Sequence, residues 1–182
     1  MSYVIRSVRA DEWPAVKELR LAALQDPVAP LAFLETYEEA VAQPDTFWQE
    51  RTARGAEGAD SGVQTVIAEA PDGQLVGTVT VLIEEPGAPD WAGFPVERKQ
   101  GHLVGVFVRP EERGSGLTDV LFDAAVEWAW AHGAERVRLI VHPDNHRAQR
   151  FYRKAGFEPT GVVVPLASVP GENELEFALE RG

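Results

Sequence analysis

The chain has 182 residues, and its 17 Lys and Arg against 29 Asp and Glu give a formal net charge of −12. Such an acidic balance is the opposite of what binds nucleic acids or anionic membranes, and it mildly favours cationic substrates. The absence of cysteine excludes disulfides, thiolate metal sites and a cysteine nucleophile. Nothing resembles a signal peptide, and no apolar run reaches the ~18 residues of a membrane span, so we expect a single cytoplasmic domain over residues 1–182.

The N-terminal part of the chain predicts one strand followed by helices. Residues 3–8 alternate as a first strand would, and Asp11 is placed to cap the helix that follows. A proline-rich segment at 26–30 ends this helix. Two shorter helical pieces are expected at 34–42 and 45–54.

The middle of the chain predicts an antiparallel hairpin and a long loop. Residues 63–70 and 75–83 are rich in β-branched side chains, and the Asp72-Gly73 pair between them is a strong hairpin signal. Residues 84–100 then form a long irregular stretch that contains Trp91. Because loops of that length inside a compact domain are usually functional or disordered, we expect this one to be a wall or lid of a substrate pocket.

A strand, a glycine-rich turn and a helix follow one another between residues 101 and 130. The β-branched run at 102–108 predicts a buried strand, and Arg109-Pro110 ends it. The segment Arg113-Gly114-Ser115-Gly116 then leads directly into a helical pattern. The buried face of that helix is expected to carry Leu117, Val120, Leu121, Ala124, Ala125 and Trp128.

This glycine-rich turn has the features of a phosphate site. The first N–H groups of a helix have no partner inside it, and the helix dipole adds about half a positive charge there. Gly114 and Gly116 carry no side chain that would keep a ligand away. The P-loop is excluded because no Lys follows Gly116, and the three-glycine dinucleotide motif is excluded because position 119 is Asp. A plain connection between strand and helix remains the alternative.

The C-terminal part predicts a strand, a helix and two further strands. His132-Gly133 is expected to stop the central helix, residues 136–141 to form another buried strand, and Asn145 to cap the next helix. Strands are expected at 157–164 and 175–179. The order of elements along the whole chain indicates a mixed α/β sheet rather than a purely parallel one.

Two motifs within residues 101–160 resemble those of one superfamily. They are Arg113-x-x-Gly116-x-Thr118, preceded by Val108-x-Pro110, and Asn145-x-x-Ala148-x-x-Phe151-Tyr152-x-x-Ala155-Gly156-Phe157. Their order, with a strand between them, is similar to that of the GNAT acyltransferase superfamily. Thr118 departs from the family pattern, which prefers Gly or Ala at that position. Its hydroxyl group is placed to donate to a phosphate oxygen instead.

The resemblance implies a mixed α/β fold with a central sheet of about seven strands flanked by helices. The strands at 102–108 and 136–141 would splay apart beyond Phe107 and hold acetyl-CoA between them, with its pyrophosphate on the N–H groups from Arg113 to Thr118. The implied cofactor-binding residues are Val106, Phe107, Val108, Arg113, Gly114, Ser115, Gly116, Leu117, Thr118, Asn145 and Phe151. The alternatives are that Asn145 is only a helix cap and Phe151 only a core residue.

The resemblance also implies catalytic residues. Tyr152 stands at the family's general-acid position, directed at the thioester sulfur. An oxyanion would be stabilised by a backbone N–H near Val108. We expect His102 to be the general base, because an imidazole with a pKa near 6.5 suits proton removal at neutral pH. Glu84 or Glu85, acting through a water molecule, is the alternative.

The implied activity is transfer of an acetyl group from acetyl-CoA to a primary amine of a small molecule, by direct attack on the thioester. Two alternatives stay open: a protein N-terminus or lysine as the acceptor, and a non-catalytic acyl-CoA-binding or sensing module. No nucleic-acid or membrane partner is expected, and an exposed final strand would offer a surface for a homodimer. No metal is expected, because Pro143 keeps His142 and His146 off a shared helical face.

Overall fold

A computed structural model describes residues 2–165 and 171–182, which build one seven-stranded sheet with helices on both faces. The strands are β1 (Val4–Ser7), β2 (Val63–Glu69), β3 (Leu75–Glu84), β4 (Gln100–Val108), β5 (Arg136–Val141), β6 (Glu158–Pro165) and β7 (Asn173–Glu180). The helices are α1 (Trp13–Leu24), α2 (Ala29–Ala32), α3 (Tyr37–Val41), α4 (Asp45–Arg54), α5 (Leu117–Ala131) and α6 (His146–Lys154). No helix within these ranges is long and apolar enough to cross a membrane.

The strands lie in the order β1-β2-β3-β4-β5-β7-β6. All neighbouring strands are antiparallel except β4 and β5, which are parallel. This parallel pair is required because α5 carries the chain back from the end of β4 to the start of β5. The predicted fold class, a mixed sheet of seven strands flanked by helices, is confirmed.

The N-terminal helices begin at positions that differ from the expected ones. Asp11 lies inside a short 3-10 turn and does not cap α1, which carries Pro14 in its first turn. Proline is favoured there because its missing N–H would have no partner anyway. By the same rule Pro30 lies in the first turn of α2, inside the segment expected to be only a stop. The piece expected at 34–42 is shorter in the structure, because Thr36 caps the helix and α3 begins only at Tyr37.

Helix α5 packs on one face of the sheet. A Cβ atom added to Gly101 would lie 2.9 Å from the Cβ of Ala129, so glycine on β4 permits this close approach. The buried residues of α5 are Leu117, Leu121, Phe122, Ala125 and Ala129. Val120, expected on this face, is 48% exposed, and Phe122 is buried instead. The buried stripe is turned towards Phe122 because α6 packs its aromatic side chains on that side.

Strands β4 and β5 pair over four positions only, from Gln100 opposite Arg136 to Leu103 opposite Leu139. The splay was expected beyond Phe107 but begins after Leu103. Its cause is a bulge in β4 at Gly105, whose φ of +64° strains any other residue. The two strands therefore enclose a wedge-shaped gap at their carboxyl ends.

The last strand lies inside the sheet. β7 is hydrogen-bonded to β5 on one side and to β6 on the other, so the expectation of an exposed final strand for a homodimer is wrong. The chain reaches this arrangement because the β6–β7 hairpin folds back and inserts its second strand next to β5. The strand at this edge of the sheet is β6, where Val162 and Val163 are exposed.

Candidate active site

The gap between β4 and β5 opens into a groove of about 520 Å³ that reaches the start of α5. Every predicted cofactor-binding residue except Ser115 lines it: Val106, Phe107, Val108, Arg113, Gly114, Gly116, Leu117, Thr118, Asn145 and Phe151. They come from the end of β4, the glycine-rich turn with the first turn of α5, and the start of α6. Ser115 faces the other way, and its hydroxyl group donates to the Glu112 carbonyl at 2.6 Å.

The glycine-rich turn has the backbone shape of an anion site. Gly114 and Gly116 have φ values of +82° and +84°, which other residues rarely adopt, and both face open space. Within the described residues no side chain caps α5 at Gly116, which leaves the first N–H groups of the helix available to a ligand. The Arg113 N–H, predicted as part of this set, instead donates to the Pro110 carbonyl at 3.3 Å. The amides from position 114 to 118 are the ones arranged for an anion.

The Arg113 side chain holds the turn in place. Its guanidinium donates to the Val108 carbonyl at 3.2 Å and to Asp26 Oδ2 at 2.8 Å. Burial raises the pKa of the Asp26 carboxyl, but the Val28 N–H and Arg113 together lower it below its usual value. Arg113 therefore acts by fixing the turn against the segment before α2. The groove has a second arginine, Arg147, which the sequence analysis did not identify.

Asn145 and Phe151 have structural partners in addition to their place in the groove. Asn145 Oδ1 accepts a hydrogen bond from the Ala148 N–H at 3.3 Å, so the residue does cap α6. The Phe151 ring packs edge-on against Phe122, with centroids 5.2 Å apart. Both side chains also border the groove, so the structural reading and the ligand-binding reading are compatible.

A second cavity of about 420 Å³ adjoins the groove. The two share Ala32, Phe33, Val106, Asn145 and Tyr152. The second cavity contains the gap itself, since residues 102–106 of β4 and 139–141 of β5 line it. Its other walls are residues 30–34, Trp91 of the loop between β3 and β4, His142, Asn145, Tyr152, Glu172 and Glu174. The contribution of α2 and its following residues was not predicted, because no motif marks them.

Tyr152 lies where the two cavities meet. Its ring stacks on Phe122, with centroids 5.8 Å apart and an angle of 18° between the planes. Burial raises the pKa of the Tyr152 hydroxyl to about 12. The phenol therefore keeps its proton over the whole physiological range and is suited to donate it.

His102 lies in the wall of the second cavity and is 1% exposed. Its Nδ1 is 3.3 Å from Glu84 Oε2, and Trp91 packs edge-on against its ring with centroids 5.6 Å apart. Burial lowers the pKa of His102 below 6.5, although the Glu84 hydrogen bond opposes this effect. The imidazole is therefore neutral at pH 7, which is the form a base requires.

Glu84 belongs to a buried ion network. Arg138 donates to Glu84 Oε1 at 3.0 Å, to Asp90 Oδ2 at 2.9 Å and to Glu176 Oε2 at 3.1 Å. Burial raises the pKa of Glu84, but the His102 hydrogen bond, the charge of Arg138 and the Trp91 N–H together bring it down to about 2. A carboxylate of such low basicity and full pairing is not a general base.

Glu85, the other alternative base, points away from both cavities. It is 3.3 Å from Lys99 Nζ and its side chain is 52% exposed. Of the three candidate bases named from the sequence, His102 alone lines a cavity, and Glu84 is its hydrogen-bond partner.

Two acidic residues of the second cavity were missed by the sequence analysis. Glu172 directly precedes β7, Glu174 is the second residue of that strand, and both line this cavity. Glu172 Oε2 is 3.8 Å from His142 Nε2, whereas the buried Oε2 of Glu174 has no hydrogen-bond partner among residues 2–165 and 171–182. The strand predicted at 175–179 left both residues out, and its alternation carried no information on what they face.

Comparison with known proteins adds independent support for the motifs. Residues 14–157 match the Acetyltransferase (GNAT) family. A Bacillus subtilis (strain 168) protein, provisionally named a ribosomal protein bS18-alanine N-acetyltransferase, is 33% identical over 109 residues, which are 52% of this chain and 70% of that protein. An aminoglycoside N(6')-acetyltransferase type 1 of Stenotrophomonas maltophilia is 29% identical over 106 residues, which are 58% of this chain and 67% of that protein.

Solved structures agree with the sheet topology. The PaiA N-acetyltransferase of Thermoplasma acidophilum, solved in complex with coenzyme A, has a TM-score of 0.73 at 17% identity, with 100% of both chains covered. The family match itself ends at Phe157, the last residue of the second motif, and so contains both motifs. The chain therefore belongs to the GNAT acetyltransferase family and is an acyltransferase.

Proposed function

We propose that this protein transfers an acetyl group from acetyl-CoA to a primary amine of a small molecule. The observation that carries the proposal is the meeting of two cavities at Tyr152, one ending at an anion-binding turn and the other walled on several sides. The first suits a cofactor with a diphosphate, and the second suits an acceptor. A protonated donor at their junction is where proton transfer to a leaving group is needed.

The residues of the groove fit coenzyme A. Open space at Gly114 and Gly116 leaves the amides of positions 114 to 118 accessible to a pyrophosphate, and Arg147 adds positive charge. Where the groove joins the second cavity, the backbone of β4 from Val104 to Val106 lies along the gap and has no partner on β5. Acetyl-CoA, when bound, supplies the thioester whose acetyl group is transferred.

Tyr152 would donate the proton that the departing sulfur needs. The ordinary pKa of a thiol is about 8.5, so a thiolate leaves more readily when an acid is present. Since burial raises the pKa of Tyr152 to about 12, this residue is always in the acid form before the reaction.

His102 would remove the proton from the acceptor nitrogen. Its Nδ1 is engaged by Glu84, which fixes the ring orientation and leaves Nε2 as the nitrogen that accepts a proton. Arg138 holds Glu84 ionised and in place. The arrangement is that of a base oriented by a second, buried group.

The second cavity favours a small acceptor. Its volume of about 420 Å³ lies within the range of small-molecule sites, roughly 300–1,000 Å³. The aminoglycoside acetyltransferase among the relatives is named for such an acceptor. The Bacillus subtilis relative is named for a protein N-terminal alanine, which makes a protein N-terminus the second candidate.

The direct test is an acetyl-CoA turnover assay with thiol detection. A panel of small primary amines and a peptide with an N-terminal alanine would be offered as acceptors. We expect thiol release with small amines and little with the peptide. Saturable coenzyme A binding without turnover on any acceptor would instead support a non-catalytic acyl-CoA-binding module.

Tyr152→Phe tests the general acid. We expect the turnover rate to fall by about 10²- to 10⁴-fold, because the proton donor is lost while the ring and its stacking remain. The dissociation constant for coenzyme A, measured by calorimetry, should stay unchanged. Tyr37→Phe is the matched control, since Tyr37 packs in the cluster around Trp48 and should leave both quantities unaltered. Loss of coenzyme A binding in Tyr152→Phe would contradict the assigned role.

A further inference from the structure

Glu174 is an acidic side chain in the acceptor cavity that no part of the proposed reaction uses. It is the second residue of β7 and lines the cavity together with His102 and Tyr152. Its Oε2 is buried and accepts no hydrogen bond from any residue in the described part of the chain. The residue as a whole is only partly buried, but a carboxylate oxygen buried without a partner is costly to keep, so this atom calls for an explanation.

Glu176, the next acidic residue on the same face of β7, differs from Glu174 in having several partners. Glu176 is bound by Arg138 at 3.1 Å, lies 3.6 Å from Arg136 and accepts a hydrogen bond from Thr160 at 2.9 Å. The chain thus neutralises Glu176 fully within its own fold. It provides no such partner for Glu174 among the residues that the structure describes.

The charges that face Glu174 are unfavourable to a lone anion. No Lys or Arg is found among the described residues that line this cavity. Among the described residues that line it, His142 lies next to Glu172, with His142 Nε2 3.8 Å from Glu172 Oε2. Burial raises the pKa of Glu174, and the charge of Glu172 raises it further, while His142 lowers it. A cation entering the cavity would supply the partner that the Glu174 carboxylate lacks.

We infer that Glu174 binds a positively charged group of the acceptor, and that this group is a second ammonium, distinct from the nitrogen that is acetylated. The inference rests on the proposed function and names the substrate class for it: amines that carry two positive charges. The net charge of −12 is consistent with attraction of such molecules.

The reacting nitrogen is a poor partner for Glu174. That nitrogen must lose its proton before it attacks, and a carboxylate next to it would hold it in the protonated form. The neutral imidazole of His102 suits the reacting end, because it can accept a proton. An ammonium that stays protonated throughout is the group that a carboxylate stabilises.

The test compares two acceptors that differ by one charge. 1,5-Diaminopentane and pentylamine have the same chain length, and the diamine carries one more ammonium. We expect the wild-type protein to have a value of kcat/KM about 10- to 100-fold higher for the diamine, as for a hydrogen bond to a charged group. Glu174→Gln, which keeps the shape of the side chain, should lower the diamine value to that of pentylamine and leave pentylamine unchanged.

Two further measurements make the outcome unambiguous. Glu158→Gln is the control, because Glu158 is an exposed glutamate of the neighbouring strand, and it should keep the preference for the diamine. Binding of the diamine in the presence of coenzyme A, measured by calorimetry, tests Glu174 without turnover and should weaken about 10- to 100-fold in Glu174→Gln.

The two proposals fail in different ways. Diamine binding that depends on Glu174, without acetyl transfer, would overturn the proposed function and leave the role of Glu174 standing. Equal use or equal binding of the two amines by the wild-type protein, or a preference that survives in Glu174→Gln, would overturn the inference about Glu174.

Discussion

The side chains of the site fall into two groups according to how far away their partners are. Tyr152, Asn145 and Gly116 could be named from the sequence, because local spacing on a helix or turn fixes their position. The partnership of Arg113 with Asp26 spans 87 positions, and that of Arg138 with Glu84 spans 54. Local periodicity carries no information about such pairs, so these roles emerge only from the folded sheet.

A prediction for a single residue concerns the pH dependence set by His102. Because burial lowers its pKa below 6.5, the neutral base should persist as the pH falls, and kcat should decline only below pH 6.5. His102→Gln should lower kcat by about 10²- to 10⁴-fold and remove this decline. The measurement is kcat at saturating substrates from about pH 5 to about pH 8.

The control for this experiment is another histidine. His132→Gln removes an imidazole that stacks on Trp128 at the end of α5, outside both cavities, and should leave the profile unchanged. If kcat of His102→Gln still declined at the same low pH as that of the wild-type protein, the decline would belong to a group other than His102.

Among the elements, those whose ends are marked by glycine or proline were predicted well. The strand at 136–141 and the start of α5 at Leu117 agree with the structure, because each is bounded by glycine or proline signals. The start of the splay was placed too late, since a bulge at Gly105 looks in the sequence like any glycine in a strand. Helix α2 was not predicted, because a segment with two prolines indicates the end of a helix, whereas here one proline lies in the first turn of a short helix.

The turn before α5 offers a prediction at this level. Gly116→Ala forces a residue with a side chain to adopt a φ of +84°, which should lower the free energy of unfolding by about 1–2 kcal/mol. The same strain should displace the first amides of α5 and raise the dissociation constant for coenzyme A. Denaturant unfolding and calorimetry would measure the two effects.

Gly73→Ala is the matched control. Gly73 has a φ of +89° in the hairpin turn between β2 and β3 and also faces open space. We expect a similar loss of stability in Gly73→Ala with unchanged binding of coenzyme A. A similar loss of binding in both variants would mean that strain in general, rather than the amides of this turn, governs affinity.

For the molecule as a whole, the buried network around Arg138 adds side-chain links between strands on both sides of the gap. Arg138 on β5 binds Glu84 at the end of β3, Glu176 on β7 and Asp90 of the loop between β3 and β4. The Trp91 N–H also donates to Glu84, at 2.7 Å. One arginine therefore fixes three strands and the loop that supplies Trp91 to the acceptor cavity.

Arg138→Met tests this role. Removal of Arg138 leaves three buried or part-buried carboxylates without a cationic partner that each now contacts, and we expect the free energy of unfolding to fall by about 3–5 kcal/mol. Arg98→Met is the control, because Arg98 forms an exposed pair with Glu180, and such pairs contribute about 0–1 kcal/mol. Denaturant titration would measure both variants. Equal, small losses would show that the network contributes little to stability.

Pairing between β4 and β5 ends at Leu103 and Leu139. The sheet therefore has two parts, β1 to β4 and β5 to β7, whose backbones are hydrogen-bonded to each other over four positions only. No residue of β5 is paired with β4 beyond this point. An extended molecule lying there would complete the backbone in the manner of an added strand. The protein thus leaves part of its own secondary structure unfinished, and a ligand bound there would lengthen the connection between the two parts of the sheet.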